Sequence, residues 1–337
     1  FQQGSTGNLA NVVVRYGYGT IKMFGGNVSI LNSQMNNNSG AINVYVTNGS
    51  ASLNLDAVLV SNDTSGGIDL LFAQTAATST ATITNSNFTD NVGFGVTANN
   101  YSLSPLIFTL TNNTFSNNFS GDASISGNVD FVNSGNSTSG NTKQGFYMGF
   151  YMVVTPPTDQ LWNPGVPFVI SGVTVPQGKT LTIQPNTVVK FTPSNFYSDY
   201  YINVYGILNA QGTPTNKIYF TSLKDDSVGG DTNGDGNATS PAPGDYHGLR
   251  FQQGSTGNLA NVVVRYGSGT INMFGGNVNI SNTRINSNLY GIYQTSGSAT
   301  VSYSSIHNNT SYGIYNPSSN IITAQNNWWG TPTGPYH

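Results

Sequence analysis

Ala81-Thr-Ile-Thr-Asn-Ser-Asn-Phe-Thr-Asp-Asn91 holds one complete word of the pattern that organises this chain. It reads apolar-x-apolar, a polar stretch, one further apolar residue, and an Asn-rich end. Alternation over Ala81, Ile83 and their neighbours describes a strand with one face buried. The same word returns as Val28–Asn38, Phe108–Asn118, Val278–Asn288 and Ala299–Asn309, with a looser copy at Leu53–Asp63. Ile30, Leu55, Ile83 and Leu110 lie 25, 28 and 27 residues apart, and Ile280, Val301 and Ile322 lie 21 apart. A unit this short cannot bury its own apolar face, so it must stack on its neighbours. The spacing therefore predicts an all-β chain folded as a right-handed parallel β-helix, a β-solenoid with coils of about 21–28 residues. About fourteen coils at ~4.8 Å each would give a rod on the order of 65 Å long. Ile280, Val301 and Ile322 are expected in one vertical file.

The asparagines fit the same picture. Asn38, Asn91, Asn118, Asn288 and Asn309 would form one ladder along a corner, and Asn32, Asn85, Asn112 and Asn282 a second. Asn tolerates the left-handed backbone of sharp corners, and stacked amides hydrogen-bond between coils.

Composition agrees. Of 337 residues 37% are hydrophobic and only 7% charged, with no Glu, thirteen Asp and ten Lys plus Arg. The long charged side chains of helix surfaces are missing, while β-branched and aromatic residues are plentiful. Scattered cations and a net charge of −3 argue against nucleic acid as a partner. No stretch has the ~20 apolar residues of a membrane helix. Cysteine is absent, which excludes disulfides and thiolate metal sites. The polar, uncharged, aromatic-rich balance points to an extracellular or cell-surface location.

A longer repeat overlies the short one. Phe1–Val28 and Phe251–Val278 differ only at Tyr18/Ser268 and Lys22/Asn272. That makes a long period near 250 residues and suggests a tandem array that is cut at Phe1. The expected organisation is the C-terminal part of one solenoid unit over 1–149, a junction or cap over 150–170, and a second unit over 171–337 carrying a loop insertion at 224–247. The junction includes Val153–Phe168, where four prolines interrupt the coil pattern.

Three segments carry a family likeness: "GVTVPQGKTLTIQPNTVVKF" (172–191), "DTNGDGNATSPAPGDYHGLRF" (231–251) and "NNWWGTPTGP" (326–335). In them the chain resembles the right-handed parallel β-helix repeats of large bacterial and archaeal cell-surface proteins. That resemblance implies surface, adhesive or structural roles and places the Trp328-Trp329 segment near the end of a solenoid unit. The first copy has no such ending.

The sharpest chemical motif is Asp231-Thr-Asn-Gly-Asp-Gly-Asn237. Oxygen donors at alternate positions with a turn-permitting Gly form the first half of a calcium loop. Asp231, Asn233, Asp235 and Asn237 are the expected ligands. Ala242 stands where a closing Glu would be, so Asp245, Asp225 or Asp226 would supply the last carboxylate to a structural Ca2+. Trp328 and Trp329 would either stack on sugar rings or lid the apolar end of the coils. The tyrosine-rich stretches 145–154 and 195–206 offer contact surface.

An enzyme of this fold would need paired carboxylates on adjacent coils. Asp56, Asp63, Asp69 and Asp90, with Arg15, Arg265 and Arg284 as the cations, share no such arrangement. Only Asp63 occupies a template position, replacing a corner Asn. Arg15 and Arg265 are duplicated, which favours a structural role. His247, His307 and His337 share no ligand spacing. The N-x-S/T sequons at Asn27, Asn62, Asn87, Asn112, Asn118 and Asn237 are expected mostly by chance. The sequence thus favours a non-catalytic structural segment of an extracellular filament or stalk, with identical units end to end as partners. A carbohydrate-binding adhesin contacting cell-surface glycans is the first alternative, and a polysaccharide lyase or hydrolase the second.

Overall fold

The computed structural model describes residues 1–149, 152–193 and 200–335. Parts of both tyrosine-rich stretches (Phe150, Tyr151 and residues 194–199) and the terminal Tyr336 and His337 lie outside the described residues. The described residues contain strands and no helix, and the strands among them pair in parallel. The parallel strands stack as a β-solenoid of about 12 turns, rather than about fourteen.

The chain divides into two compact units, Phe1–Pro157 with Thr232–Gly234, and Thr158–Asp231 with Asp235–His337. The division falls inside the expected junction. The strand Gln160–Trp162 already belongs to the second unit, where it pairs with Thr180–Ile183 and where Trp162 stacks on Phe168 at 4.4 Å.

In the first unit each coil contributes three strands. Thr6–Ala10, Gly26–Leu31, Ala51–Asp56, Ser79–Thr84, Leu106–Thr111 and Val129–Ser134 form one stack. Short strands such as Asn87–Thr89 form a second, and strands such as Ile68–Ala76 a third. Ile30 pairs with Leu55, Leu55 with Ile83 and Ile83 with Leu110, so the expected file exists. Its members are at most 1% exposed. Phe88 lies on Phe115 in the short stack, with rings 5.1 Å apart and 13° from parallel. Like residues above like fill the interior, which is how coils too small to have private cores share one.

The second unit repeats this grammar with one correction. Ile280 pairs with Val301, but Val301 pairs with Ala324, while Ile322 pairs with Ala299. The last coil is two residues longer: one residue enters before Tyr312, which pairs with Tyr290, and one between Tyr315 and Ile322, where Asn316 Nδ2 closes a turn on the Asn320 carbonyl at 2.6 Å. A two-residue slip preserves the strand face, so Ile322 moves one inward position along and remains inward. The 224–247 insertion lies between the strands Ile218–Ser222 and Gly248–Gln252.

Both expected asparagine files are present but do different work: Asn91 donates to Asn118 and Asn288 to Asn309 between coils, while Asn32, Asn85, Asn112 and Asn282 take the left-handed bend. The left-handed positions are Asn32, Asn85, Asn112 and Asn282 at one corner, and Asn37, Asn62, Asp90, Asn117 and Asn308 at the other. Asn38, Asn91 and Asn118 follow the left-handed residue and point inward, fully buried. Each accepts an N–H from the coil before: Asn91 N–H donates to Asn118 Oδ1 at 3.2 Å and Asn118 N–H to Asn141 Oδ1 at 2.6 Å. Their amides donate back to carbonyls, as Asn118 Nδ2 does to Phe88 O at 2.9 Å. A second inward ladder is Ser33, Ser86, Asn113 and Asn136, the first three following Asn32, Asn85 and Asn112, with Asn113 N–H on Asn136 Oδ1 at 2.9 Å. Two rules therefore govern each corner: a left-handed residue makes the bend, and the next side chain satisfies the neighbouring coil's exposed N–H.

Candidate functional site

The insertion of the second unit gathers the densest chemistry. Carboxylate oxygens of Asp226, Asp231 and Asp235 all lie within 4.8 Å of one another. The loop shapes itself around them: Asp231 Oδ2 accepts Gly236 N–H at 2.8 Å, and Asp235 Oδ1 accepts Asn237 and Ala238 N–H at 3.1 Å each. Such Asx turns leave lone pairs on each carboxylate for a further ligand. Burial, followed by the neighbouring Asp231 charge, raises the Asp226 carboxyl above its usual range, and Lys190 opposes that rise.

Lys190 is fully buried and donates from Nζ to the Gly230 carbonyl at 2.6 Å. Desolvation lowers its ammonium to about 8 despite the nearby Asp226 and Asp225. One ion pair clamps the loop to the coils, Arg265 Nη2 to Asp225 Oδ2 at 2.6 Å, and a second joins the two ends of the loop, Lys224 Nζ to Asp245 Oδ1 at 2.8 Å.

The expected ligands separate on this geometry. Asp231 and Asp235 come together, and Asp226 is the carboxylate that joins them. Asp245 is instead engaged by Lys224, Ser222 Oγ and Ala242 N–H, and Asp225 by Arg265 and Ser227. Asn237 is exposed and contributes its backbone N–H. Asn233 lies between Asp231 and Asp235 in the stretch Thr232–Gly234 that groups with the first unit, whereas the three carboxylates belong to the second. Three hard oxygen donors with net negative charge fit a calcium-type ion and do not fit a soft metal.

The aromatic pair divides. Trp328 continues the sheet, pairing with Ser305 and remaining 49% exposed, while Trp329 is half-buried against Gly313. Trp329 lines a groove of about 540 Å³ with Ile306, His307, Tyr312 and Ile314. His247 lies elsewhere, its carbonyl accepting Asn272 Nδ2 at 2.8 Å.

The carboxylates of the first unit are engaged one by one. Asp56 accepts Asn85 Nδ2 and Thr84 Oγ1 at 2.8 Å each, and those bonds lower its pKa. Asp90 accepts the Thr89 hydroxyl. Asp69 lies on a shallow groove with Asn43 and Thr97. Asp63 is a buried rung of the amide ladder, raised by desolvation to about 6. Arg15 is exposed, whereas its duplicate Arg265 clamps the insertion, so one sequence serves two surroundings. Asn118 of the sequon set is buried, and Asn27, Asn62, Asn87, Asn112 and Asn237 are exposed.

Two features escaped the sequence reading. Asp122, fully buried, holds Thr138, Asn141 and the Gly145 N–H. Tyr290, Tyr293, Tyr312 and Tyr315 form one ring cluster with centroids 5.1–6.0 Å apart. The spacing signal for the cluster was present, since 290/312 and 293/315 are each 22 apart, but it carries meaning only once the register is known. No protein-family model, curated protein or solved structure matches the chain.

Proposed function

We propose that this chain is a structural repeat segment of an extracellular fibre or cell-surface stalk, of the kind built by large surface proteins with tandem β-helix repeats. The observation that carries this reading is a coil used twice. Phe251–Val278 has Phe251, Leu259 and Val264 at 1% exposure or less, between the strands of the coils on either side. The near-identical Phe1–Val28 builds the matching coil of the first unit, its strand Thr6–Ala10 pairing with Asn27–Leu31 just as Thr256–Ala260 pairs with Asn277–Ser281. The same residues thus build a stacked coil in each unit. In a stack where each coil touches only its neighbours, length is added by repetition without altering the core. Low charge supports close axial contact, because little repulsion opposes it.

Within that segment the insertion acts as a calcium-stiffened loop held by Asp226, Asp231 and Asp235. The ion would neutralise three carboxylates that otherwise repel one another.

Electron microscopy of the natural surface material, with antibody raised to this chain, tests the assignment. Label spaced regularly along fibres or stalks is the expected result. Label confined to compact particles, or to the cell interior, would overturn it.

A further inference from the structure

We infer that the second unit carries a glycan-binding strip on the outer face of one sheet, centred on Tyr290, Tyr293, Tyr312 and Tyr315 and selective for a linear, largely uncharged polysaccharide. The strip is a single column of the β-register. Asn203 pairs with Arg250, Arg250 with Asn272, Asn272 with Tyr293, and Tyr293 with Tyr315. The inward neighbours Ile202, Leu249, Ile271 and Ile292 are fully buried, so by alternation this column faces outward. Tyr290 stacks on Tyr312 beside it, with rings 11° from parallel. Tyr312 is 53% exposed, and the other three rings are half-buried. At the far end the Arg250 guanidinium covers Tyr201 at 4.0 Å.

The fold does not require these side chains. The duplicated scaffold of the first unit preserves the inward file as Ile21, Ile42, Ile68 and Val96, but its outward file is Lys22, Asn43, Asp69 and Thr97. Apolar positions are kept and the outer column is rewritten, which separates packing from surface function.

The duplicate itself gives a second observation. Its only two changes over 28 residues, Tyr18/Ser268 and Lys22/Asn272, both fall at this strip. In the first copy the Lys22 ammonium covers the Tyr18 ring at 5.5 Å. In the second a small hydroxyl and an amide replace that pair, next to Tyr290 and Tyr293: Tyr290 N–H donates to the Ser268 carbonyl at 2.7 Å, and Asn272 pairs with Tyr293. The approach is cleared of bulk and charge at the coil before the tyrosines.

Phenol rings offer apolar faces to sugar C–H groups and hydroxyls to sugar oxygens. The four-tyrosine part carries no formal charge, which suits a neutral chain and disfavours a polyanion. Ligand and solenoid match in direction, since a column running coil to coil offers similar contacts at each ~4.8 Å step to a linear polymer.

Affinity electrophoresis of the whole chain through gels containing a neutral β-glucan, a galactomannan or a uronate polymer tests this. Retardation by a neutral polymer is expected, weakened about tenfold by Tyr293→Ala or Tyr315→Ala. Tyr293→Phe keeps the ring and should stay within about threefold of the parent, which also distinguishes lost contact from misfolding. Tyr16→Ala and Tyr18→Ala remove rings that are more exposed than those of the strip but lie outside it, and should change nothing. Free migration in all three polymers, equal loss in the Tyr16→Ala control, or retardation by the uronate polymer alone would each overturn the inference. So would sedimentation showing that the strip joins two copies of the chain, with dimers abolished by Tyr315→Ala. None of these results depends on whether the chain is part of a fibre.

Discussion

At the scale of single residues, the inward corner ladders decide which polar side chains this interior tolerates. An Asn rung is self-consistent: its oxygen accepts an N–H from the preceding coil, and its amide donates to a carbonyl. Asp63 breaks the pattern. Its Oδ1 accepts Asn38 N–H at 2.6 Å, but its buried Oδ2 has no partner. A carboxylate there lacks the donor that Asn38 and Asn91 possess, and desolvation raises it to about 6 from 3.8. Because the folded value lies above the unfolded one, the fold favours the protonated form. Its contribution is complete below about pH 4 and is lost as pH rises through about 6. Asp63→Asn supplies the missing donor and should stabilise the first unit by roughly 1–3 kcal/mol at pH 7. It should also flatten the pH dependence of urea unfolding between pH 4 and 7; an unchanged profile would show that Asp63 is not the titrating rung. Asp122 is raised further, to about 8, because burial outweighs the bonds it accepts from Thr138, Asn141 and the Gly145 N–H. Its contribution is likewise complete below about pH 4 and is lost as pH rises through about 8, so Asp122→Asn should flatten the pH dependence of urea unfolding between pH 7 and 9; an unchanged profile would show that Asp122 does not titrate there.

At the scale of elements, the duplicated coil separates the effect of sequence from that of surroundings. Thr6–Ala10 and Thr256–Ala260 have the same five residues, yet Leu259 is 1% exposed and Leu9 is half-buried. Leu259→Ala leaves a cavity between coils and should cost about 2–5 kcal/mol, whereas Leu9→Ala should cost under about 1.5 kcal/mol. Comparing the two variants by chemical denaturation checks this, and equal losses would mean that strand identity outweighs coverage. The same contrast shows why elements were easier to read than sites. Alternation at Ile30, Leu55, Ile83 and Leu110 reports burial directly, so fold class and most of the register were legible. Ile322 was misplaced because a two-residue lengthening of the coil preserves alternation while changing the partner. At the corner of Asn38 and Asn118 the bend itself lies one residue earlier, at Asn37 and Asn117, because Asn occupies both the bend and the rung. Asp226 was one of three carboxylates proposed to complete the loop, and only loop closure selects it; the tyrosine cluster depends on pairings between coils, which local sequence does not encode.

At the scale of the whole chain, the two units carry different chemical handles, and this makes them separately addressable. Asp226, Asp231 and Asp235 all belong to the second unit, and Asp63 and Asp122 to the first. A ligand that binds only folded protein stabilises it by about 2.7 kcal/mol at a hundredfold excess over Kd. For a unit of this size that corresponds to roughly 5–10 °C, at about 2–4 °C per kcal/mol. Calcium should therefore raise one of two thermal transitions and leave the other in place, while Asp63→Asn should move only the other. Asp231→Asn should abolish the calcium response without altering the transition that Asp63→Asn shifts. The sign with pH follows from Asp226: its raised carboxyl takes up protons earlier than an ordinary Asp, so acidification should shrink the calcium shift before it protonates most exposed carboxylates. Differential scanning calorimetry with calcium, with magnesium and with chelator would record all of these effects. A response of both transitions, or none with Asp231 intact, would break the link between the three carboxylates and the ion. A selective response would show that each unit is stabilised by its own interior and its own handle, as expected where coils interact only with their nearest neighbours.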